Sequence, residues 1–412
     1  SSTSAIRLHS ILRAITGNLD VVGGETLGGF NPAYIPESEL ALHERLSDEQ
    51  KAKQLGFADH PVFTYRTAEM LKDATNKVWG FPYADLVMGC HMANPTNVFR
   101  AMAKGDPYPI KALITLGNNT LLSYANQHQI LQGLMNQELI VAHEIFMTPT
   151  AMLADYVLPG DVFTERNHVA DGWSWGNRLT LSQKVVEAPE YASSTFQFWT
   201  DLGRRMGLAE YFPWDTIEDM LDYRLSRSGR TFAEFEAATF MEMPTPKFRK
   251  YRKHGFATPS GKVELYSSVL EDLGFDPLPY YREGPMPNEE YPYAVFTGVR
   301  EDPFFQTGQR NIEVLRARCP TPQLYLHPTD ATREQLADGD WVRLESSTGS
   351  VTAQISIQQS MKEGHIRVPH GWWYPETRGQ ENLAGAFLSS DAVLCSDDDE
   401  FLDYEQGAPH FK

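Results

Sequence analysis

The sequence predicts an α/β chain that ends in a small β-barrel, and three observations predict it. First, between residues 111 and 165 two apolar runs, Ala112-Leu113-Ile114-Thr115-Leu116 and Leu139-Ile140-Val141-Ala142, flank a helix-like segment at 130–137. Each run stops on polar residues: Gly117-Asn118-Asn119 after the first and His143-Glu144 after the second. In an open α/β sheet, ligands sit outside the carboxyl ends of the strands, so this stretch is expected to form half of a nucleotide-like site. Second, apolar residues between 195 and 245 recur at the spacing of core helices. Third, after Tyr291 short strand-like runs follow one another between glycine turns, the texture of a small barrel.

Bulk properties narrow the function. A chain of 412 residues has room for about two or three domains, and 42% hydrophobic and 12% aromatic content supplies a core. The formal charge is −18, from 36 basic and 54 acidic residues, which argues against nucleic acid or an anionic membrane as partner. No run of about 18 apolar residues marks a membrane span. No charged-then-apolar leader is visible, which predicts a cytoplasmic protein. The first residue is Ser1, and an amphipathic segment (Ile6, Leu8, Ile11, Leu12, Ile15) begins almost at once. A fragment or processed chain is therefore expected. Cys90, Cys319 and Cys395 lie far apart, form no metal-spaced cluster, and read as structural thiols of a reducing compartment.

Taken in order, a helix is expected over 5–16, ended by Gly17-Asn18, with a further turn at Gly23-Gly24. Residues 31–60 are charged and irregular, with a helical candidate over 39–54. A helix follows over 67–76, then a Gly- and Pro-punctuated region through Met88-Gly89-Cys90-His91. Cys90 beside His91 invites a catalytic reading, but adjacent residues point apart and no base partner is specified. Ala93-Asn94-Pro95-Thr96 reads as the cap of a helix carrying Val98, Phe99 and Met102. Past the 111–165 stretch, Trp173 and Trp175 between glycines either line a channel or pack a loop. Helices are expected over 196–206, 216–225 and 232–238. The basic run 247–253 reads as surface, and 257–266 as a tight turn feeding a strand. Pro277, Pro279, Pro285, Pro287 and Pro292 mark an extended linker. Barrel strands are expected over 293–297, 323–327, 341–345, 351–357 and 365–369, with a short helix over 329–335. The run Asp397-Asp398-Asp399-Glu400 reads as a solvated surface.

Several motifs then resemble a family. Gly117-Asn118-Asn119, Glu144-Ile145-Phe146-Met147-Thr148 and Ala154-Asp155-Tyr156-Val157-Leu158-Pro159 are similar to stretches of the molybdenum/tungsten bis-pterin oxidoreductases, the dimethyl sulfoxide reductase family. The barrel adds Thr297-Gly298 with Arg300, His327-Pro328-Thr329-Asp330-Ala331, Asp338-Gly339-Asp340-Trp341-Val342, His370-Gly371-Trp372 and Asn382-Leu383. Met92-Ala93-Asn94-Pro95-Thr96, Tyr124-Ala125-Asn126-Gln127, Gly133-Leu134-Met135-Asn136-Gln137, residues 257–268 and Ser396-Asp397-Asp398-Asp399 look closer to one subgroup, the acetylene hydratases. The resemblance covers only a C-terminal part of such an enzyme. It implies that residues 1–60 are the tail of one αβα domain and a linker. Residues 61–270 would be the second half of a discontinuous Rossmann-like domain. After a linker at 271–290, residues 291–412 would be a double-psi-type β-barrel that binds a molybdopterin dinucleotide.

The implied cofactor is bis-molybdopterin guanine dinucleotide with tungsten or molybdenum. A [4Fe–4S] cluster, the protein ligand to the metal and the catalytic acid are expected only in the missing N-terminal part, so no catalytic or metal-binding residue is assigned here. Gly117 offers close backbone approach, and Asn118 and Asn119 offer donors and acceptors to a nucleotide. By resemblance, Glu144 and Thr148 match positions that hold a guanosine; on its own, Glu144 also reads as a solvated strand-end acid. Thr297 and Gly298 open the barrel motif, and Arg300 suits a phosphate, although Val299 interrupts the family pattern. His370 and Asn382 match pterin-contacting positions; a strand-end histidine also reads as a satisfied structural group. Trp173, Trp175, Trp372 and Trp373 are candidates for an apolar substrate pocket. The resemblance implies water addition to a triple bond at tungsten on a small-molecule substrate. A molybdenum-dependent reductive dehydroxylase of phenolic substrates, and a non-catalytic remnant that binds a nucleotide or partner, remain as alternatives. The missing N-terminal part is the expected partner, and the fragment alone is expected to be inactive.

Overall fold

In the computed structural model, residues 2–27, 33–83, 92–170, 178–238, 240–242, 248–377 and 380–409 are described. The longer helices are α1 (Ser2–Ile15), α2 (Tyr65–Trp79), α3 (Pro95–Lys104), α4 (Gln127–Met135), α5 (Thr195–Arg205), α6 (Ile217–Leu225) and α7 (Phe232–Ala238). The strands are β1 (Ala112–Leu116), β2 (Leu139–Glu144), β3 (Tyr156–Pro159), β4 (His168–Ala170), β5 (Arg178–Ser182), β6 (Phe240–Glu242), β7 (Ala294–Val299), β8 (Gln323–Leu326), β9 (Trp341–Glu345), β10 (Ser350–Ile357) and β11 (His365–Pro369). Contacts gather them into two units, Ser1–Asn94 with Gly160–Arg282, and Pro95–Pro159 with Glu283–Lys412. Residues 95–159 thus pack with the C-terminal segment, inside the span 61–270 expected as one discontinuous domain.

In the first unit, β4, β5 and β6 form an antiparallel sheet over a core of Tyr34, Val169, Leu179, Leu221, Leu225, Phe232 and Phe235. These strands of three to five residues carry too little alternation to be seen in the sequence. Helix α2 begins where the Thr64 hydroxyl accepts from the Arg66 N–H, and it ends at left-handed Gly80. It brings Glu69 to the buried ammonium of Lys51, whose Nζ also donates to the Tyr83 hydroxyl at 2.8 Å. The helix expected over 39–54 is broken. Leu42 is left-handed, and Ser47 starts a new helix, Asp48–Ala52, through a reciprocal cap with Gln50. Residues 257–266 make the expected turn but no strand. Glu264 accepts from the Ser260 and Ser268 amides, so this backbone is satisfied without a ladder. In the basic run, Lys250 donates to fully buried Asp20 and so ties the segment down instead of leaving it as plain surface.

In the second unit β1, β2 and β3 form a parallel sheet, with Leu116 paired to His143 and Glu144 to Pro159. Their carboxyl ends are therefore level. Helices α3 and α4 bury Phe99, Met102, Ile130 and Leu134 in one core with Leu121, Leu122, Ile140, Trp373, Ala384 and Ala386. The C-terminal strands form a five-stranded mixed sheet of order β7-β11-β8-β10-β9. Along β10, Val351, Ala353 and Ile355 face inward at the two-residue period of a strand, and Ala353 and Ile355 join Leu324, Leu326, Ile366 and Val368 in one core. All five expected strands and the short helix, observed over Pro328–Arg333, are present.

One expectation fails in this unit. Asp397 is not solvated: it is 6% exposed and accepts from Asn126 at 2.6 Å, Gln129 at 2.7 Å and Arg100 at 3.3 Å. Only the rest of that acidic run is exposed. Trp372 and Trp373, the candidates for an apolar pocket, are packed inside the unit. Both are buried, one between Phe304 and Tyr374, the other in the helical core with its indole N–H on the Thr307 carbonyl. Trp173, Trp175, Cys90 and His91 lie outside the described residues.

Candidate functional site at two sets of strand ends

The first set is at the carboxyl ends of β1 and β2. The ladder continues one step past β1, where the Gly117 N–H donates to the His143 carbonyl at 3.0 Å. Gly117 then turns with φ +55°, and no atom lies within 4 Å of where a Cβ would be, so the backbone here is open to close approach. Asn118 is half-buried and accepts from the Thr120 hydroxyl at 3.3 Å. Asn119 is buried, and its Oδ1 accepts from the Thr150 hydroxyl at 2.9 Å and the Thr150 N–H at 3.3 Å. Its Nδ2 has no hydrogen-bond partner within the described residues. Thr150, which holds this amide, also accepts from the Leu121 N–H at 2.9 Å.

Glu144 ends β2 with 9% exposure. Burial pushes its carboxyl above the ordinary range, while the Ile145 and Phe146 amides pull the other way. The Ile145 N–H donates to Oε2 at 3.0 Å. Thr148 is buried, and its hydroxyl accepts from the Ala151 N–H at 3.2 Å. Beside these polar groups, Ile145 and Met147 are exposed.

The second set is where β7 and β11, parallel neighbours, end together at Val299 and Pro369. Thr297 is buried with its hydroxyl 3.5 Å from the Cys395 thiol. Gly298 and His370 meet at the carboxylate of Asp391, a fully buried residue that the sequence did not single out. Its signal was faint: one acid inside the apolar run 386–394. His370 is itself buried, and its carbonyl accepts from buried Arg310 at 2.6 Å. Burial lowers the Arg310 guanidinium to about 10, against the opposing pull of the nearby Asp391 carboxylate.

The structure therefore brings Gly117, Asn118, Asn119, Glu144 and Thr148 together at one sheet end and Thr297, Gly298 and His370 together at the other. The turn Asp391–Val393 packs on the turn Thr120–Ser123 that follows Asn119, which joins the two sets within one unit. Arg300 and Asn382 are joined to neither set by a hydrogen bond among the described residues. Arg300 is exposed with its guanidinium 4.5 Å from the Phe305 ring centre, and Asn382 is exposed in the segment 380–385. Among the described residues no group of three or more His, Cys, Asp or Glu side chains is placed to hold a metal ion. None of the described helices is long and apolar enough to cross a membrane.

Comparison with known proteins agrees with this geometry. Residues 46–205, which include the first set, match the molybdopterin oxidoreductase family. Residues 295–392, which include the second set, match the molybdopterin dinucleotide binding domain. Acetylene hydratase from Syntrophotalea acetylenica is 43% identical over 100% of this chain and 57% of its own length. Dimethyl sulfoxide reductase from Escherichia coli is 26% identical over 90% of this chain and 46% of its own. A solved structure of acetylene hydratase from Pelobacter acetylenicus superposes with a TM-score of 0.92 at 42% identity, covering 99% of this chain and 57% of that one. The chain thus spans about half the length of these relatives. On these matches, the chain belongs to the molybdopterin oxidoreductase family.

Proposed function

We propose that the chain is the cofactor-binding part of an acetylene-hydratase-like enzyme, holding bis-molybdopterin guanine dinucleotide with tungsten or molybdenum. The observation that carries this reading is the Asn119 amide: buried, anchored through Oδ1, with Nδ2 unpartnered among the described residues, on the same level as the buried Glu144 carboxylate. A buried donor without a partner costs about 1–3 kcal/mol, which a nucleotide carbonyl or phosphate oxygen would recover. Glu144 supplies the complementary acceptor for guanine N–H or ribose hydroxyl groups, and Thr148 stands beside it. Gly117 leaves the backbone open for the same ligand. At the other sheet end, Thr297, Gly298 and His370 would face the pterin side, with Arg300 and Asn382 as outlying contacts.

When bound, the cofactor would supply the metal at which water adds to the triple bond of acetylene, without net redox. This chain's residues bind and orient it. In this layout residues 61–270 carry half of a discontinuous Rossmann-like domain and 291–412 the dinucleotide-binding barrel. The missing N-terminal part would bring the [4Fe–4S] cluster, the metal's protein ligand and the catalytic acid, so the chain alone is inactive. We place the enzyme in the cytoplasm. The likeness to dimethyl sulfoxide reductase favours the second reading, a redox enzyme acting on another small molecule. Feeding acetylene to the full-length protein under anaerobic conditions separates them. Acetaldehyde formation without an electron donor supports the hydratase, and turnover that requires a donor or acceptor supports the redox enzyme.

A further inference from the structure

Three groups of the β7 and β11 ends converge on one carboxylate. Oδ2 of Asp391 accepts from the Gly298 N–H at 3.2 Å and lies 3.0 Å from His370 Nδ1. Oδ1 accepts from the Gly371 N–H at 2.7 Å. Asp391 has no exposed surface. Both Asp391 oxygens already accept a backbone N–H, the pattern of an acceptor, which assigns the hydrogen between Asp391 and His370 to Nδ1. Arg310 holds the same histidine from its carbonyl and rests its guanidinium over the Phe304 and Trp372 rings, 4.9 and 5.3 Å from their centres. Both glycines are left-handed, with φ of +71° and +63°, which turns both amides toward one acid. A Cβ at position 371 would also stand 2.3 Å from the Thr307 methyl carbon.

A buried acid is a poor device for stability alone, because apolar packing often serves as well. What it supplies is fixed geometry. We infer that Asp391 is a positioning residue of the dinucleotide site: it holds His370 with the hydrogen on Nδ1 and draws the Gly298 and Gly371 amides into one arrangement. A ligand at these strand ends would then meet the ring in one tautomer. The inference rests on the proposed function for what that ligand is, but the clamp itself does not depend on it. The histidine alone looked like the site residue; the acid that orients it lies 21 residues further on.

The test compares the full-length protein, prepared without cofactor, with its Asp391→Asn variant, both labelled with ¹⁵N-histidine, with His370 assigned through His370→Gln. The native ring is expected to show hydrogen on Nδ1. In the variant the new amide can donate to Nδ1 while its oxygen keeps the Gly371 N–H, so the hydrogen is expected to move to Nε2. Binding of isolated molybdopterin guanine dinucleotide is expected to weaken about 10- to 100-fold, with guanosine diphosphate binding unchanged. A native ring without hydrogen on Nδ1, or a variant with unchanged dinucleotide affinity, overturns the inference. If the native chain binds neither ligand, the proposed function falls, and the histidine spectrum still decides the clamp. Should Asp391→Asn not fold, Asp391→Glu is used. It keeps the charge and the Nδ1 hydrogen but displaces the carboxylate, and must show the same loss of dinucleotide affinity.

Discussion

Replacing Glu144 by glutamine separates a ligand-binding acid from a structural one, because the two roles predict opposite changes in stability. Glutamine keeps the size of the side chain and an oxygen for the Ile145 N–H, now 3.0 Å away. It removes only the charge. Burial raises the Glu144 carboxyl above its ordinary value of 4.5, so the charged form is less favourable in the fold than in the unfolded chain. The stability it contributes is present below pH 4.5 and is lost as pH rises through the higher folded value. At pH 7 Glu144→Gln should therefore melt no lower than the native chain and should melt higher if relaxation is complete; below pH 4.5 the advantage should vanish. The nucleotide pays the opposite way. Hydrogen bonds to a charged acceptor contribute about 1.5–3 kcal/mol, so losing the charge should weaken guanosine diphosphate about 10- to 100-fold. Titration calorimetry and melting scans at pH 7 and pH 4 read both effects. Equal nucleotide affinity combined with a lower melting temperature at pH 7 would refute the reasoning and return Glu144 to a structural role.

Other perturbations test the frame around the site. Glu69 is disfavoured as an anion by partial burial, but hydrogen bonds from Lys51, Lys72 and Tyr83 bring it down to about 2. Its contribution is present above pH 4.5 and lost as pH falls toward 2, so Glu69→Gln should flatten the acid limb of the stability profile. Lys51→Met leaves Glu69 without its buried ammonium and should cost about 2–3 kcal/mol in denaturant titration, less than a fully buried pair because Glu69 is partly exposed. Gly371→Ala must place a Cβ against Thr307 in a left-handed backbone and should cost at least about 1 kcal/mol, read as a lower melting temperature. Cys395 is buried, with its thiol pushed up to about 12, and burial also raises Cys319. Iodoacetamide at pH 8 should label neither thiol until the chain unfolds, as mass spectrometry of the native and denatured protein would show.

Much of the site's frame was legible because it lies in contiguous apolar runs. Residues 112–116 and 139–142 read as strands, and both end on the polar groups that now sit level at the sheet's edge. The C-terminal strands were legible from their glycine punctuation. Illegible features were those made by distance in sequence. Asp391 meets Gly298 across 93 positions, and nothing near Asp391 announces that contact. Asp397 looked solvated as one of four acids, yet Asn126, Gln129 and Arg100 reach it from more than 260 positions away. The tryptophan pair at 372–373 offered no sign of which way its rings turn, and both turn inward. The break inside 39–54 depended on one serine winning the backbone N–H of Gln50 as a cap. Arg300 and Asn382 matched a motif by position, and no hydrogen bond among the described residues draws either to the strand ends.

The most direct measurement is the pterin, guanosine and metal content of the protein isolated anaerobically from the cells that make it. Fluorescence of the oxidised pterin and elemental analysis read it in one preparation. The strand-end account predicts molybdopterin guanine dinucleotide together with tungsten or molybdenum, and a markedly lower dinucleotide content in Glu144→Gln. Protein that carries neither pterin nor either metal would contradict it.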